Sequence, residues 1–264
     1  MKTILFFLIT ACVLTVMLLC RSLTGYSYQR SNGNKKITGE QKGFAVVELF
    51  TSEGCSSCPP ADELVAQISR ETNNQPVYIL AYHVDYWNRL GWKDVFSSAD
   101  YSSRQDQYAG WLHLKSVYTP QIVVNGREEL IGSQEQVLRK AISTSLDRQS
   151  DVQLRVAPMQ VDKGQLHLQY TVSPAGGQTN LLVAVVQKAA QTQVRRGENS
   201  GRTLSHVQVV RKLSSYALDG KDTGAATIQL PAGIPVADLE IISFLQTPAN
   251  GGIIAATKAA IPVF

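Results

Sequence analysis

Residues 44–70 read FAVVELFTSEGCSSCPPADELVAQISR. The first seven are apolar or β-branched except for Glu48, the composition of a buried strand, and the run breaks at Thr51-Ser52-Glu53-Gly54. After Cys58 the period changes. Ala61, Leu64, Val65 and Ile68 recur at helical spacing, Pro59 and Pro60 suit a first helical turn, and Asp62 and Glu63 complement its positive end. Cys55 and Cys58 therefore fall between a strand and a helix start. The next apolar run, VYILAYHV (77–84), completes a β-α-β unit, which should be parallel and right-handed.

Outward from this unit, residues 85–116 are rich in aromatic and charged side chains and read as an insertion covering one end of the sheet, with a helix from about Ser98 to Tyr108. VYTPQIVVNGREELIG (117–132) gives a strand, an Asn125-Gly126 two-residue turn and a returning strand. A helix follows from Ser133, which is spaced to cap it with Gln136, and Val137, Leu138, Ala141, Ile142 and Leu146 form its apolar face. From about Asp151 the chain turns to short alternating or apolar runs such as QLHLQYTVS, LLVAVVQ and LEIISFLQ. Gly, Pro, Asn and Asp separate them, and the pattern predicts an antiparallel β-sandwich over 151–264.

At 264 residues and 44% hydrophobic content, the chain is long enough for two domains with their own cores. Six of its 25 Lys/Arg and one of its 21 Asp/Glu fall in residues 1–42, which leaves 19 bases against 20 acids in 43–264. A near-neutral body lacks the basic footprint of a nucleic-acid binder. Residues 1–24 carry Lys2, an apolar run from Ile4 to Cys20 broken only by two threonines, and Arg21. The segment reads as a cleaved signal peptide or a retained membrane anchor, and places the rest outside the cytoplasm, periplasmic or secreted. Residues 25–42 are polar and aperiodic, a linker.

Without residues 1–24, the chain keeps two cysteines, spaced Cys-x-x-Cys, in a compartment where disulfides persist. So small a loop restricts the unfolded chain little, and stability is a poor reason for the bond. Thiol–disulfide exchange is a better one. It needs a thiolate stabilised by unsatisfied N–H groups and the positive end of a helix dipole, with a second thiol close enough to resolve the mixed disulfide. Cys55 is read as the attacking residue and Cys58, a turn further in, as the resolving one. Glu48 and Glu53 are the carboxylates near in sequence, and Glu48 is a candidate proton acceptor for Cys58. His83, Asp85, Trp87, Asn88 and Trp92 follow the end of a strand and, with Glu53, are candidates for the wall of the site; Asp94, Asn88 and the tryptophans also suit turns and loop packing. His83 with Cys55 and Cys58 is an incomplete donor set for Cu(I) or Zn, so no metal or other cofactor is assigned. His113, His167 and His206 have no partner identifiable in the sequence.

Four strings, VELFTSEGCSSCPPAD, LAYHVDYWNRLGWKDVFSSADYSSRQDQYA, YTPQIVVNG and GENSGRTLSHVQVVR, closely resemble secreted thioredoxin-like bacterial proteins catalogued as a domain of unknown function. The resemblance runs from Phe44 to the C terminus. It implies a thioredoxin-like α/β domain over 43–150 followed by the sandwich, and it implies that Pro120 is the cis-proline facing the dithiol, with Thr119 presenting its backbone to substrate. In composition alone an X-Pro bond favours trans. Two features depart from ordinary thioredoxins. Their Trp-Cys-Gly-Pro-Cys centre is replaced by Gly54-Cys55-Ser56-Ser57-Cys58, and their buried acid lies one residue nearer the first cysteine than Glu48 lies to Cys55. The segment RRGENSGRTLSHVQVV reads as a long hairpin connection or, more sharply, as a loop packed on the first domain. The sequence thus points to a thiol–disulfide oxidoreductase acting on protein or peptide thiols. The alternatives are an envelope binding or assembly module with a static disulfide, and a Cu/Zn-binding protein.

Overall fold

The computed structural model describes residues 43–72, 74–174 and 177–262, so the signal or anchor reading of 1–24 and the linker 25–42 lie outside the described residues. Among the described residues no helix is long and apolar enough to cross a membrane. The chain forms β1 (Ala45–Thr51), α1 (Pro59–Glu71), β2 (Val77–His83), α2 (Ala99–Trp111), β3 (Gln121–Val124), β4 (Glu128–Ile131) and α3 (Glu135–Asp147). Seven strands follow: β5 (Gln153–Asp162), β6 (Gln165–Ser173), β7 (Asn180–Gln193), β8 (Thr203–Ala217), β9 (Thr223–Gln229), β10 (Leu239–Gln246) and β11 (Ile253–Ala260).

The expected β-α-β unit is present, with β1 and β2 parallel and Ala45 opposite Val77. β3 runs antiparallel to β1 and pairs with β4 through the Asn125-Gly126 turn. Both turn residues have positive φ, and a Cβ on Gly126 would lie 2.0 Å from the Gly251 carbonyl oxygen, so only glycine fits. α2 begins one residue after Ser98, whose side chain accepts a hydrogen bond from the Asp100 N–H. α3 starts later than expected: Gln134 rather than Ser133 is its N-cap, because a turn closed by the Gln134 N–H on the Ile131 carbonyl comes first.

The boundary at 150/151 does not divide two sheets. One eight-stranded mixed sheet has the order β11-β10-β7-β8-β2-β1-β3-β4, joined across the two halves where Ala81 of β2 meets Val209 of β8 in parallel. A second, antiparallel sheet, β5-β6-β9, packs Leu166, Leu168 and Ile228 against Leu181, Val183 and Ile241 of the large one. The reason is visible in β7. Its odd residues Leu181, Val183 and Val185 enter that core, while the even residues Leu182, Ala184 and Val186 join Phe50, Tyr82, Tyr108 and Phe244 on the opposite face. A strand covered on both faces has no polar side to alternate with, hence the unbroken LLVAVV. On the β1 strand, Ala45, Val47 and Leu49 face α1 and α3, and Val46 and Phe50 face α2.

Candidate functional site

Leaving β1, the chain makes two successive turns before α1, closed by the Cys55 N–H on the Ser52 carbonyl and the Cys58 N–H on the Cys55 carbonyl. Cys55 and Cys58 are joined as a disulfide. Both are 0% exposed, whereas Ser56 and Ser57 between them face solvent. Cys55 Sγ lies 3.4 Å from Ser57 Oγ and 3.9 Å from the Thr119 carbonyl oxygen, and the Thr119–Pro120 peptide is cis. The helix end offers fewer donors than the sequence reading assumed. Pro59 and Pro60 have no N–H, and those of Ala61 and Asp62 bond the Cys58 carbonyl, so a Cys55 thiolate would draw on the helix dipole and the Ser57 hydroxyl.

The wall residues divide into two groups. Trp87 donates its indole N–H to Thr119 Oγ1 at 2.8 Å and packs on Gly54, where a Cβ would come within 3.2 Å of Trp87 Cβ. Trp92 donates to Glu53 Oε2 at 2.8 Å. Asp85 and Asn88 serve the loop itself: Asp85 accepts from the Ser102 hydroxyl at 2.6 Å, and Asn88 bridges the Ser97 hydroxyl and the Asp94 N–H.

Glu48 is not placed to serve Cys58. As an even-numbered β1 residue it points to the α2 face, where Arg104 Nε donates to its Oε1 at 2.7 Å and the Tyr108 hydroxyl donates to Oε2. The buried carboxylate on the α1 side is Asp62, four residues after Cys58, whose Oδ2 accepts from the Thr51 hydroxyl at 3.0 Å.

The RRGENSGR connection packs on the dithiol turn, the sharper of its two readings. Asn199, 1% exposed, donates from Nδ2 to the carbonyls of Glu53 and Cys55, both at 2.9 Å, and Glu198 accepts the Ser56 N–H at 2.9 Å. The Ser56 contacts hold the Glu198 carboxyl below the usual range. Gly197 has φ +79° and sits against Trp92. The sequence reading missed Glu198, Asn199 and His206; the available signal was a polar run bracketed by Gly197 and Gly201 just before an otherwise apolar strand.

His206 lies between two buried carboxyl groups, its Nε2 3.4 Å from Glu53 Oε1 and its Nδ1 3.6 Å from Asp62 Oδ1, and its ring meets His83 edge-on at 4.7 Å. His83 Nδ1 is 2.7 Å from Asp94 Oδ2, which also accepts the Glu53 N–H. Burial raises the Asp94 pKa, but His83 and these hydrogen bonds outweigh it and hold the carboxyl low. Asp62, His83 and His206 each offer a ligand atom within 4.8 Å of the others. Burial pulls the His206 pKa down, yet Asp62 and Glu53 more than offset this and raise it to about 9. The folded state therefore holds this proton more tightly than the unfolded chain, whose histidines titrate near ~6.5. The resulting stabilisation is complete below about pH 6.5 and is lost as pH rises through about 9; a shift of this size corresponds to about 3 kcal/mol. Urea unfolding of chelator-treated protein should thus show a falling free energy between these limits, and His206→Gln should flatten the slope.

Fold and site together define a mixed α/β protein carrying a buried Cys-x-x-Cys disulfide at a strand–helix junction. Over residues 46–246 the chain matches the family described as "Protein of unknown function (DUF1223)", and it belongs to that family. A crystal structure of protein AGR_C_4864 from Agrobacterium tumefaciens is similar with a TM-score of 0.65 and 27% identity, covering 85% of this chain and 97% of that one. A domain of the outer membrane lipoprotein Omp28 from Porphyromonas gingivalis has a TM-score of only 0.26 at 10% identity, over 42% of this chain and 96% of its own, and carries no argument. No curated protein matches.

Proposed function

We propose that the chain is an extracytoplasmic thioredoxin-like thiol–disulfide oxidoreductase that exchanges with protein or peptide thiols through Cys55 and Cys58. One juxtaposition carries the reading: the disulfide before α1 lies against the Thr119–Pro120 segment, with the Thr119 carbonyl 3.9 Å from Cys55 Sγ. Strand β1, helix α1, strand β2, the β3-β4 hairpin and α3 follow the order of a thioredoxin-like layout. When the pair is reduced, the Cys55 thiolate attacks a substrate disulfide, forms a mixed disulfide and releases one substrate thiolate. Cys58 then gives up its proton and attacks Cys55 Sγ, which reforms the Cys55–Cys58 bond and releases the second substrate thiol. Two electrons pass to the substrate, and the reverse sequence oxidises it. The extracytoplasmic placement rests on residues 1–24.

Equilibration of the purified protein in glutathione or dithiothreitol buffers, followed by thiol trapping, should give a reversible couple at roughly −120 to −270 mV. Exchange with a peptide disulfide should fall to the uncatalysed rate in Cys55→Ala. A bond that resists reduction well below about −300 mV would sink the proposal and leave the second reading, a binding module with a static disulfide. The specific observation on that side is the zero exposure of both cysteines.

A further inference from the structure

We propose that Asp62, His83 and His206 form a binding site for one divalent transition-metal ion of the zinc class, a role beyond the dithiol and independent of it. The three side chains are 5%, 0% and 2% exposed and bring one ligand atom each within 4.8 Å of the others. His83 is committed on one side only: Nδ1 meets Asp94, and the buried Nε2 has no hydrogen-bond partner among the described residues. His206 likewise has two buried nitrogens without an aligned hydrogen bond, and so has Glu53 Oε1. Such orphaned groups are costly unless something occupies the space between them.

The donors define the ion. Two imidazoles and a carboxylate without thiolate suit Zn(II), Co(II), Ni(II) or Fe(II) better than Cu(I), Mg(II) or Ca(II). Metal–ligand bonds of about 2.1 Å in a tetrahedron separate ligand atoms by about 3.4 Å. Asp62 Oδ1 and His206 Nδ1 already stand 3.6 Å apart. Each ligand is also backed by a further group, as metal sites require. Asp94 takes the His83 Nδ1–H, Glu53 Oε1 faces His206 Nε2, and the Thr51 hydroxyl holds the second oxygen of Asp62. Glu53 and Asp94 add two further buried carboxyl groups around the cluster, a surrounding that suits a divalent ion.

The test is titration of the chelator-treated, disulfide-oxidised full chain with Zn(II) by calorimetry and with Co(II) by visible absorption. One ion per chain with a micromolar or lower Kd is expected, together with a rise in Tm on Zn(II) addition. His83→Gln and His206→Gln should weaken binding at least ~100-fold and Asp94→Asn by about 10–100-fold, while Cys55→Ser/Cys58→Ser should bind within about threefold of the parent. Should the histidine variants fail to fold, paramagnetically shifted imidazole N–H signals from two histidines in the Co(II)-loaded parent carry the assignment. Absence of saturable 1:1 binding up to millimolar Zn(II) overturns the proposal, leaving the cluster as a buried ion pair. So does binding lost with the cysteines but retained by His83→Gln. Neither result bears on the redox reading, whose couple is measured without metal.

Discussion

Arg104→Met is expected to lower the unfolding free energy by about 3–5 kcal/mol, because it leaves the Glu48 carboxylate buried without its cation. Glu48 is 0% and Arg104 4% exposed, with Nε 2.7 Å from Oε1. Burial disfavours the guanidinium charge, but Glu48 more than offsets this and keeps it protonated. Arg104 also donates to Gln246 Oε1 at 3.2 Å and the Tyr108 hydroxyl at 3.0 Å, and lies over the rings of Tyr82, Tyr108 and Phe244. One side chain on α2 therefore ties β1 to β10 across the β2–β8 join. Urea titration should show the midpoint falling at unchanged slope, and Tm should drop by about 10–15 °C. The double variant Glu48→Gln/Arg104→Met should recover much of the loss, since neither charge then remains buried alone. A Glu48→Gln variant should leave the Cys55–Cys58 potential unchanged; a marked shift would restore Glu48 as a partner of Cys58.

That pair also shows where sequence reading stops. Glu48 and Arg104 are 56 residues apart. Strand parity puts Glu48 on one face but does not say which face α1 covers, so a carboxylate seven residues before Cys55 looked like part of the dithiol chemistry. The β-α-β unit was legible because period, proline placement and strand composition agree within 40 residues. The individual C-terminal strands were legible too, but their allocation to sheets was not, because alternation reports burial of a face and not the identity of the neighbouring strand. LLVAVV held the missing clue: apolar at both parities, it required cover on both sides, which a two-layer sandwich separate from the first domain would not give. His206 and Asn199 were illegible for another reason. Their roles come from the close approach of the 195–206 segment to residues 53–62, a contact that no local pattern encodes.

Asn199→Ala should accelerate reduction of the Cys55–Cys58 bond by a phosphine or dithiothreitol ~30-fold. With both sulfurs 0% exposed, attack requires the chain over the dithiol to open, and its rate follows the population of the open form while closing is fast. The two Asn199 hydrogen bonds, to the Glu53 and Cys55 carbonyls, exist only in the closed form, and the Asn199 side chain is itself held by Arg202, which donates to its Oδ1 at 3.0 Å. Removing the amide leaves the Glu53 carbonyl unpaired and the Cys55 carbonyl with the Cys58 N–H alone, at about 1–3 kcal/mol for a buried unsatisfied group. About 2 kcal/mol on the opening equilibrium converts to the ~30-fold stated, at ~1.4 kcal/mol per decade. Glu198→Gln should act in the same direction and more weakly, because its bond to the Ser56 N–H is exposed. Global stability should change less than opening, so the readout is the reduction rate set against the urea midpoint. An unchanged rate would mean that the segment is not what covers the disulfide, and that substrate reaches Cys55 from the Thr119–Trp87 side without any part of 195–202 moving.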